Sequence, residues 1–270
     1  MTDDAGSRDI LLHYEDRYDE DSRLSESGLG QLELVRTQQI LQRHLPRPPA
    51  SILDVGGGPG VYGAWLTAAG YAVELIDIVP RHVARAAERG LRARLGDARR
   101  LPVPDASCDA VLLLGPLYHL TDPVDRARAL HEAIRVGRPA APVFVAAISR
   151  FAPALDGLEL GFYFESDLAD MVRDDLAHGV HTNPTGDPRY FTTAYFHHPD
   201  ELAAELHDAG LDAIELIPVE GIGWAAPDLD ARMANDTHQE MLLELLERLE
   251  AEPTLLGASP HLIGVGRVPR

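Results

Sequence analysis

The sequence predicts an α/β protein built on a doubly wound, mostly parallel sheet with helices on both faces. Between residues 46 and 148, short apolar runs of strand length alternate with helix-length stretches, the rhythm of strand–helix–strand units. Several of these runs are nearly all apolar, as strands buried on both faces must be. A cluster of glycines follows the first run and precedes a helical stretch, where an open sheet turns its loops toward a ligand.

Each element has its own signal. Residues 1–30 are polar apart from Ile10–Leu12, Tyr14 and Tyr18, and read as a helical arm. Gln31–Leu45 carries spaced apolar residues suited to an amphipathic helix, stopped by Pro46, Pro48 and Pro49. Ser51–Val55 is the first strand, and Val61–Ala69 a helix ended by Gly70. Tyr71–Ile76 is the second strand, closing on Asp77; Pro80 then opens the helix Arg81–Arg89, which stops at Gly90. Leu91–Leu95 is a weak third strand, Cys108–Leu114 a strong fourth, Pro123–Val136 a helix and Pro142–Ile148 a fifth strand. After Ser149 the rhythm breaks. Residues 150–198 are too long for a simple connection and read as an inserted lid or substrate cap. Helix Pro199–Ala209, strand Asp212–Val219, a largely helical Ala231–Glu250 and strand His261–Val268 follow. The predicted organisation is an arm over residues 1–45 and one domain over residues 46–270 that carries the insertion.

Composition removes several function classes. Across 270 residues, 43 acidic against 24 basic side chains leave a net charge of −19. That balance disfavours a nucleic-acid partner, whose affinity rests on Lys and Arg, and an anionic membrane surface. The lone cysteine, Cys108, allows no internal disulfide or cysteine-based metal cluster and fits a reducing compartment. No apolar run approaches membrane-spanning length, and the acidic start is unlike a secretory signal. The expectation is a cytoplasmic protein that takes a small molecule or short peptide; its oligomeric state stays open.

The glycine cluster is Asp54-Val55-Gly56-Gly57-Gly58-Pro59-Gly60. A dinucleotide fingerprint would need a third glycine at 61, where Val61 stands. The acid-x-Gly-x-Gly-x-Gly spacing instead resembles motif I of the class I S-adenosylmethionine-dependent methyltransferases. Asp77 after the second strand, Asp97 within Gly96-Asp97-Ala98 after the third, and Leu114-Gly115-Pro116-Leu117-Tyr118-His119 after the fourth strengthen the likeness, which spans roughly residues 50–150. Gly137-Arg138-Pro139-Ala140-Ala141 departs from the Lys-Pro-Gly-Gly turn of many relatives. The resemblance implies a seven-stranded sheet with an antiparallel edge strand, and S-adenosyl-L-methionine as cofactor. It implies a cofactor site formed by Tyr18, Asp54, Gly56, Gly58, Gly60, Asp77, Ile78, Asp97, Ala98 and Leu114. Within it Asp77 would accept the ribose hydroxyls and Asp97 would lie near the adenine amino group. Each acid has an ordinary alternative, Asp54 or Asp97 as a turn acid and Asp77 as a helix cap.

Methyl transfer is an in-line displacement that asks chiefly for positioning. Where the acceptor is protonated, His119 is the candidate base, because it follows the fourth strand and imidazole titrates in the useful range. Capping or loop bonding by the same residue is the alternative. Substrate-binding candidates are Tyr14 in the arm, Tyr118, and His181, Tyr195 and His197 in the aromatic and histidine-rich stretch 178–198. No histidine pair there sits four apart on a clear helix, so no metal site is expected. Arg23 or Arg36 is considered for the methionine carboxylate, with local salt bridging as the simpler use of Arg23. Trp224 reads either as a cavity wall or as a loop anchor. The alternative function is a non-catalytic, cofactor-binding regulatory protein of the same fold.

Overall fold

The computed structural model describes Tyr14, residues 20–183 and residues 191–270. Five parallel strands form its centre in the order β3-β2-β1-β4-β5, with β1 at Ser51–Val55, β2 at Ala72–Asp77, β3 at Arg92–Leu95, β4 at Ala110–Leu113 and β5 at Pro142–Ser149. The strand order reverses between β1 and β4, and that switch opens a crevice beyond the carboxyl ends of the strands. Every residue of β4 and β5 is buried, as expected of strands covered on both faces.

Side-chain alternation divides the core into two layers. On one face Leu53, Val55, Val111, Leu113, Val143 and Val145 pack against helices α6 (Pro123–Val136) and α9 (Pro199–Asp208). On the other, Ile52, Leu112 and Phe144 meet Ile40 and Leu41 of α2 (Gly28–His44) and Leu66 of α3 (Val61–Ala68). Helix α2 starts three residues before the apolar pattern does, because the Ser27 side chain accepts from the Gly30 amide. A Cβ on Gly28 would lie 2.6 Å from the Asp230 backbone, and one on Gly30 would lie 2.4 Å from the Arg23 carbonyl. Those glycines let α10 (Leu229–Met233) and α1 (Glu20–Glu26) approach closely. Helix α4 (Pro80–Glu88) links β2 to β3.

The last two strands complete a seven-stranded order, β3-β2-β1-β4-β5-β9-β8. Strand β9 (His261–Arg267) runs antiparallel to β5, and β8 (Asp212–Pro218) is antiparallel to β9 and forms the edge. The antiparallel strand therefore lies one place in from the edge. Its direction has a consequence for function: His261, the first residue of β9, pairs with Ile148 near the end of β5. That residue is thereby delivered to the carboxyl edge of the sheet.

The stretch after β5 holds more helix than its sequence suggests. It forms α7 (Ala152–Glu159), a 3-10 turn at Phe162–Phe164, and α8 (Ser166–His178). The buried stripe of α8 includes the acid Asp175 beside Leu168, Ala169 and Val172, which blurs the apolar period. A short hairpin follows, β6 (Val180–His181) and β7 (Ala194–His197). Successive amides of an extended chain point to opposite sides. The Ser149 amide donates to Pro260 and the Arg150 amide to His197, so β7 lies on the β4 side of β5, past the end of β4. The short helix α5 (Pro116–His119) follows β4 beside it. Helix α11 (Asp236–Leu249) is separated from α10 by Asn235, whose side chain caps it. Among the described residues no helix is long and apolar enough to cross a membrane.

Candidate active site

A cavity of about 490 Å³ opens over the carboxyl ends of β1, β2, β4 and β5. Its floor at one end is the glycine loop. Gly56 (φ +66°) and Gly58 (φ +57°) are in the left-handed region that favours glycine. A Cβ on Gly56 would lie 2.5 Å from the Pro116 ring, and one on Gly57 would lie 2.4 Å from Asp54 Oδ2. Gly60 behaves differently from the expectation. With φ +89° it forms the N-cap of α3, and a side chain there would meet Leu91 at 2.5 Å. Gly60 thus shapes the turn and packs inward, away from the cavity wall.

Three acids stand at this end. Asp54 is 1% exposed, and neither of its carboxyl oxygens has a hydrogen-bond partner among the described residues. Burial, aided by the nearby Asp77 charge, pushes it up to about 7. Asp77 accepts from the Gly58 amide at 2.9 Å and from the Val79 amide at 2.8 Å, one bond to each oxygen. Neither bond caps α4, whose N-cap is Val79 with no side-chain cap; Asp77 instead ties the glycine loop to the turn after β2. A carboxylate has about four acceptor sites, so ribose hydroxyls remain within its capacity. Asp97 is held by the Arg99 guanidinium, with Nη2 at 2.7 Å, and Arg99 also pairs with Asp125. Ile78, Ala98 and Leu114 line the same cavity.

The other end is mostly apolar. Tyr118, Phe191, Phe196, Met171, Val172 and Ile148 contribute to its wall. His119 stacks on Phe191 at 5.7 Å, and its Nε2 is hydrogen-bonded to the Tyr14 hydroxyl at 3.0 Å. Tyr14 is buried and also meets His82 edge-on. The structure therefore joins Tyr14, Tyr118 and His119, residues about a hundred positions apart in sequence. His181 also reaches the wall, but its ring is fully committed: Nδ1 faces the buried Asp175 at 2.9 Å, and Nε2 faces the Phe191 carbonyl at 3.2 Å. The ring ties α8 to the hairpin.

Tyr195 and His197 are placed elsewhere. Side chains alternate along β7, so Phe196 faces the cavity while its two neighbours face away. Tyr195 lies under the Arg126 guanidinium at 3.8 Å, and His197 approaches Glu205 at 3.3 Å. Arg126 and Glu205 pair at 2.7 Å, which makes this a packed ionic cluster between α6, β7 and α9. Burial lowers His197 and outweighs the Glu205 carboxylate beside it. Arg36, 1% exposed, bonds the Val219 carbonyl and Glu250, so it too is structural. Trp224 Nε1 donates to the Ala258 carbonyl at 2.8 Å and anchors its loop. Tyr18 lies outside the described residues.

Comparison with known proteins agrees with this arrangement. A family model described as a methyltransferase domain matches residues 53–145. A demethylmenaquinone methyltransferase of Beutenbergia cavernae is 31% identical over 214 residues, which cover 77% of this chain and 84% of that protein. The chain belongs to the class I S-adenosylmethionine-dependent methyltransferases. Solved structures share the fold of this methyltransferase at lower identity. One, from Thermotoga maritima, is described as a possible histamine N-methyltransferase; it has TM-score 0.54 and 17% identity, covering 87% of this chain and 89% of that one. The [4+2]-cyclase SpnF has TM-score 0.53 and 19% identity, covering 88% and 80%.

The residues of this methyltransferase fit its cofactor. A sealed carboxyl group without partners beside a glycine cradle that admits no side chain is a site lacking hydrogen-bond donors. An ammonium group and ribose hydroxyls supply donors of that kind. Asp54, Gly56, Gly58, Asp77 and Asp97 are the residues we assign to hold it.

One charged cluster at the cavity wall joins Arg23, which makes the local salt bridge that was its simpler reading, to Glu33, Glu220 and His261, which were not singled out from the sequence. Arg23 Nη2 donates to Glu33 at 2.8 Å, His261 Nδ1 lies 2.6 Å from Glu220, and Ser259 Oγ donates to Glu220 at 2.9 Å. Arg23, Glu33 and His261 line the methyltransferase cavity, as does Asp156. Burial would raise Glu33, but the Arg23 and His261 charges hold it at about 2. Asp156 is pushed up to about 6 by burial. Oxygens of Glu33 and Glu220 and a nitrogen of His261 lie within 4.8 Å of one another. Arg23 and the imidazole proton already supply the positive charge that this cluster needs. The only clue in the sequence was topological, since an antiparallel final strand must begin at the ligand-binding edge.

Proposed function

We propose that this methyltransferase transfers the methyl group of S-adenosylmethionine to a small, largely apolar, ring-bearing molecule. The observation that carries this reading is the continuity of the cavity: the glycine loop and its acids open directly into a chamber walled by Phe191, Phe196, Met171 and Ile148. Aromatic and aliphatic walls with few polar groups suit such a ligand. The name of the Beutenbergia relative, a demethylmenaquinone methyltransferase, supports a ring-bearing acceptor.

The cofactor supplies an activated methyl on a sulfonium centre. The protein supplies position. Pro116, packed on Gly56, fixes the loop after β4 against the glycine cradle. Tyr14, Tyr118 and Phe191 hold His119 in one orientation, and we assign it to accept the acceptor's proton where there is one to lose. The described parts of the segment, residues 150–183 and 191–198, are assigned as a cap, because Ala152, Phe162 and Val172 contribute to the cavity wall; residues 184–190 lie outside the described residues. Leu160 and Phe164 stand 71% and 79% exposed on this segment, and Leu160 also reaches the cavity, so an apolar acceptor would enter past an apolar rim. The net charge of −19 and the single cysteine support a metabolite acceptor in a reducing, cytoplasmic setting rather than a nucleic acid.

Calorimetric titration with S-adenosylhomocysteine, followed by a transfer assay on hydroxylated naphthoquinones and simple phenols, tests the reading. Micromolar binding with methylated product is the expected result. Binding without transfer to any ring would turn the reading toward a cofactor-binding regulator, and no binding would overturn it.

A further inference from the structure

We propose that His261, held by Glu220, is the polar anchor of the acceptor: its Nε2–H donates to an oxygen on the ring, selecting molecules with a conjugated carbonyl or phenolate oxygen. This inference rests on the methyl-transfer reading and names the acceptor class within it.

The geometry begins with Glu220, which is 0% exposed yet saturated with donors. Its Oε2 accepts from Ser259 Oγ at 2.9 Å and from the His261 amide at 3.0 Å, and its Oε1 faces His261 Nδ1 at 2.6 Å. Ser259 is itself fixed by the Glu220 and Gly221 amides, at 3.1 and 3.0 Å. A carboxylate so clamped sets the plane and the proton position of the ring bonded to it. With Nδ1–H committed to Glu220, the proton-bearing nitrogen left for a ligand is Nε2. It has no hydrogen-bond partner among the described residues, and the His261 side chain retains 28% exposure within the cavity wall. The pairing of His261 with Ile148 puts it on the acceptor side of the chamber.

A purely structural ion pair would seal both partners. Here the acid is sealed and the base is open. Glu33 lies 3.9 Å from Nδ1, beyond hydrogen-bond reach, and its own bonds go to Arg23. It therefore contributes field without competing for the ring. Burial works against a charged imidazole, but the Glu220 and Glu33 carboxylates outweigh it and hold His261 up at about 9. At neutral pH the ring is a donor on both nitrogens, and a donor selects an oxygen acceptor. In an apolar chamber, one such contact discriminates strongly against an analogue lacking the oxygen.

The test titrates 2-hydroxy-1,4-naphthoquinone and 2-methylnaphthalene into the full chain saturated with S-adenosylhomocysteine. The parent should prefer the hydroxyquinone. His261→Gln should weaken it at least tenfold while changing the hydrocarbon and S-adenosylhomocysteine less than twofold; Glu220→Gln should act in the same direction. Equal hydroxyquinone affinity in parent and His261→Gln would overturn the inference, as would a parent that binds S-adenosylhomocysteine but does not distinguish the two probes. Absence of S-adenosylhomocysteine binding in the parent would instead overturn the methyl-transfer reading, and this inference with it. A second measurement needs no variant. The charged groups facing His261 are Glu220, Glu33, Arg23 and Asp156; Glu33 at about 2 and Asp156 at about 6 have finished titrating well below the window of interest. Hydroxyquinone affinity of the parent should therefore fall as pH rises through about 9, and a flat profile up to pH 10 would overturn the proposal.

Discussion

The two ends of the cavity are built in different ways. The cofactor end comes from three strand–loop junctions between Asp54 and Ala98, and backbone geometry does most of its work: left-handed glycines, a Gly57 with no room for Cβ, and amides that bond Asp77. The part of the wall that we propose receives the acceptor gathers Tyr14, Arg23, His119, Asp175, Phe191 and His261 from separate elements, and there the side chains decide. A site made from one contiguous stretch tolerates few changes within it. A site assembled from distant elements depends instead on whatever holds those elements together.

The sharpest way to break this contrast is Gly57→Val. Its side chain would displace the Asp54 carboxyl, and S-adenosylhomocysteine affinity should fall at least a hundredfold, about 2.8 kcal/mol, while the melting temperature changes little. Calorimetry beside a thermal melt checks both. Asp175→Ala should do the reverse. It strips a buried His181 of its carboxylate partner, so stability should drop by about 2 kcal/mol, and ring probes should bind more weakly. S-adenosylhomocysteine affinity should stay within twofold. Equal losses at both ends would show the two halves to be one cooperative unit.

A pH series separates the ends by charge. The folded value of Asp54, about 7, lies above the usual 3.8 of an unfolded carboxyl. Its contribution to stability is thus full below about 4 and is lost as pH rises through 7. Cofactor donors need the ionised form, so S-adenosylhomocysteine affinity should rise about tenfold between pH 6 and 8, with proton release seen in buffers of different ionisation enthalpy. Asp54→Asn should flatten that rise. The smallest effect belongs to Tyr195→Phe. The lost hydroxyl makes only long contacts, 3.3 Å to Arg150 and 3.3 Å to Glu201. The ring under Arg126 is kept, so stability should change by less than about 1 kcal/mol and neither ligand should notice. A large loss of ring-probe affinity would return Tyr195 to the acceptor site.

The same contrast explains what could be read in advance. The alternation of strands and helices and the spacing of Asp54, Gly56 and Gly58 are local properties, because periodicity and turn chemistry act over a few residues. Gly60 was legible as a turn residue, but whether it faced ligand or core was not; Leu91, 31 residues on, decides that. Tyr195 and His197 drew attention through the density of rings around them. The two-residue alternation of β7 turns both away and leaves Phe196 facing the cavity, and no register can be assigned to a four-residue strand before its partner is known. The helix at 166–178 was hidden because the face that it buries includes an acid, Asp175.

By itself, the amino-acid sequence determined the doubly wound sheet, the cofactor loop and the acids at the ends of its strands, since each is written in a short window of chain. Only the tertiary structure decided that Tyr14 meets His119, that His181 is consumed by Asp175, and that Glu220 holds His261 toward the chamber. Those pairings depend on the direction of β9, the packing of α8 and the placement of Tyr14 against α5. Contacts between residues tens to hundreds of positions apart leave no periodic trace in the sequence.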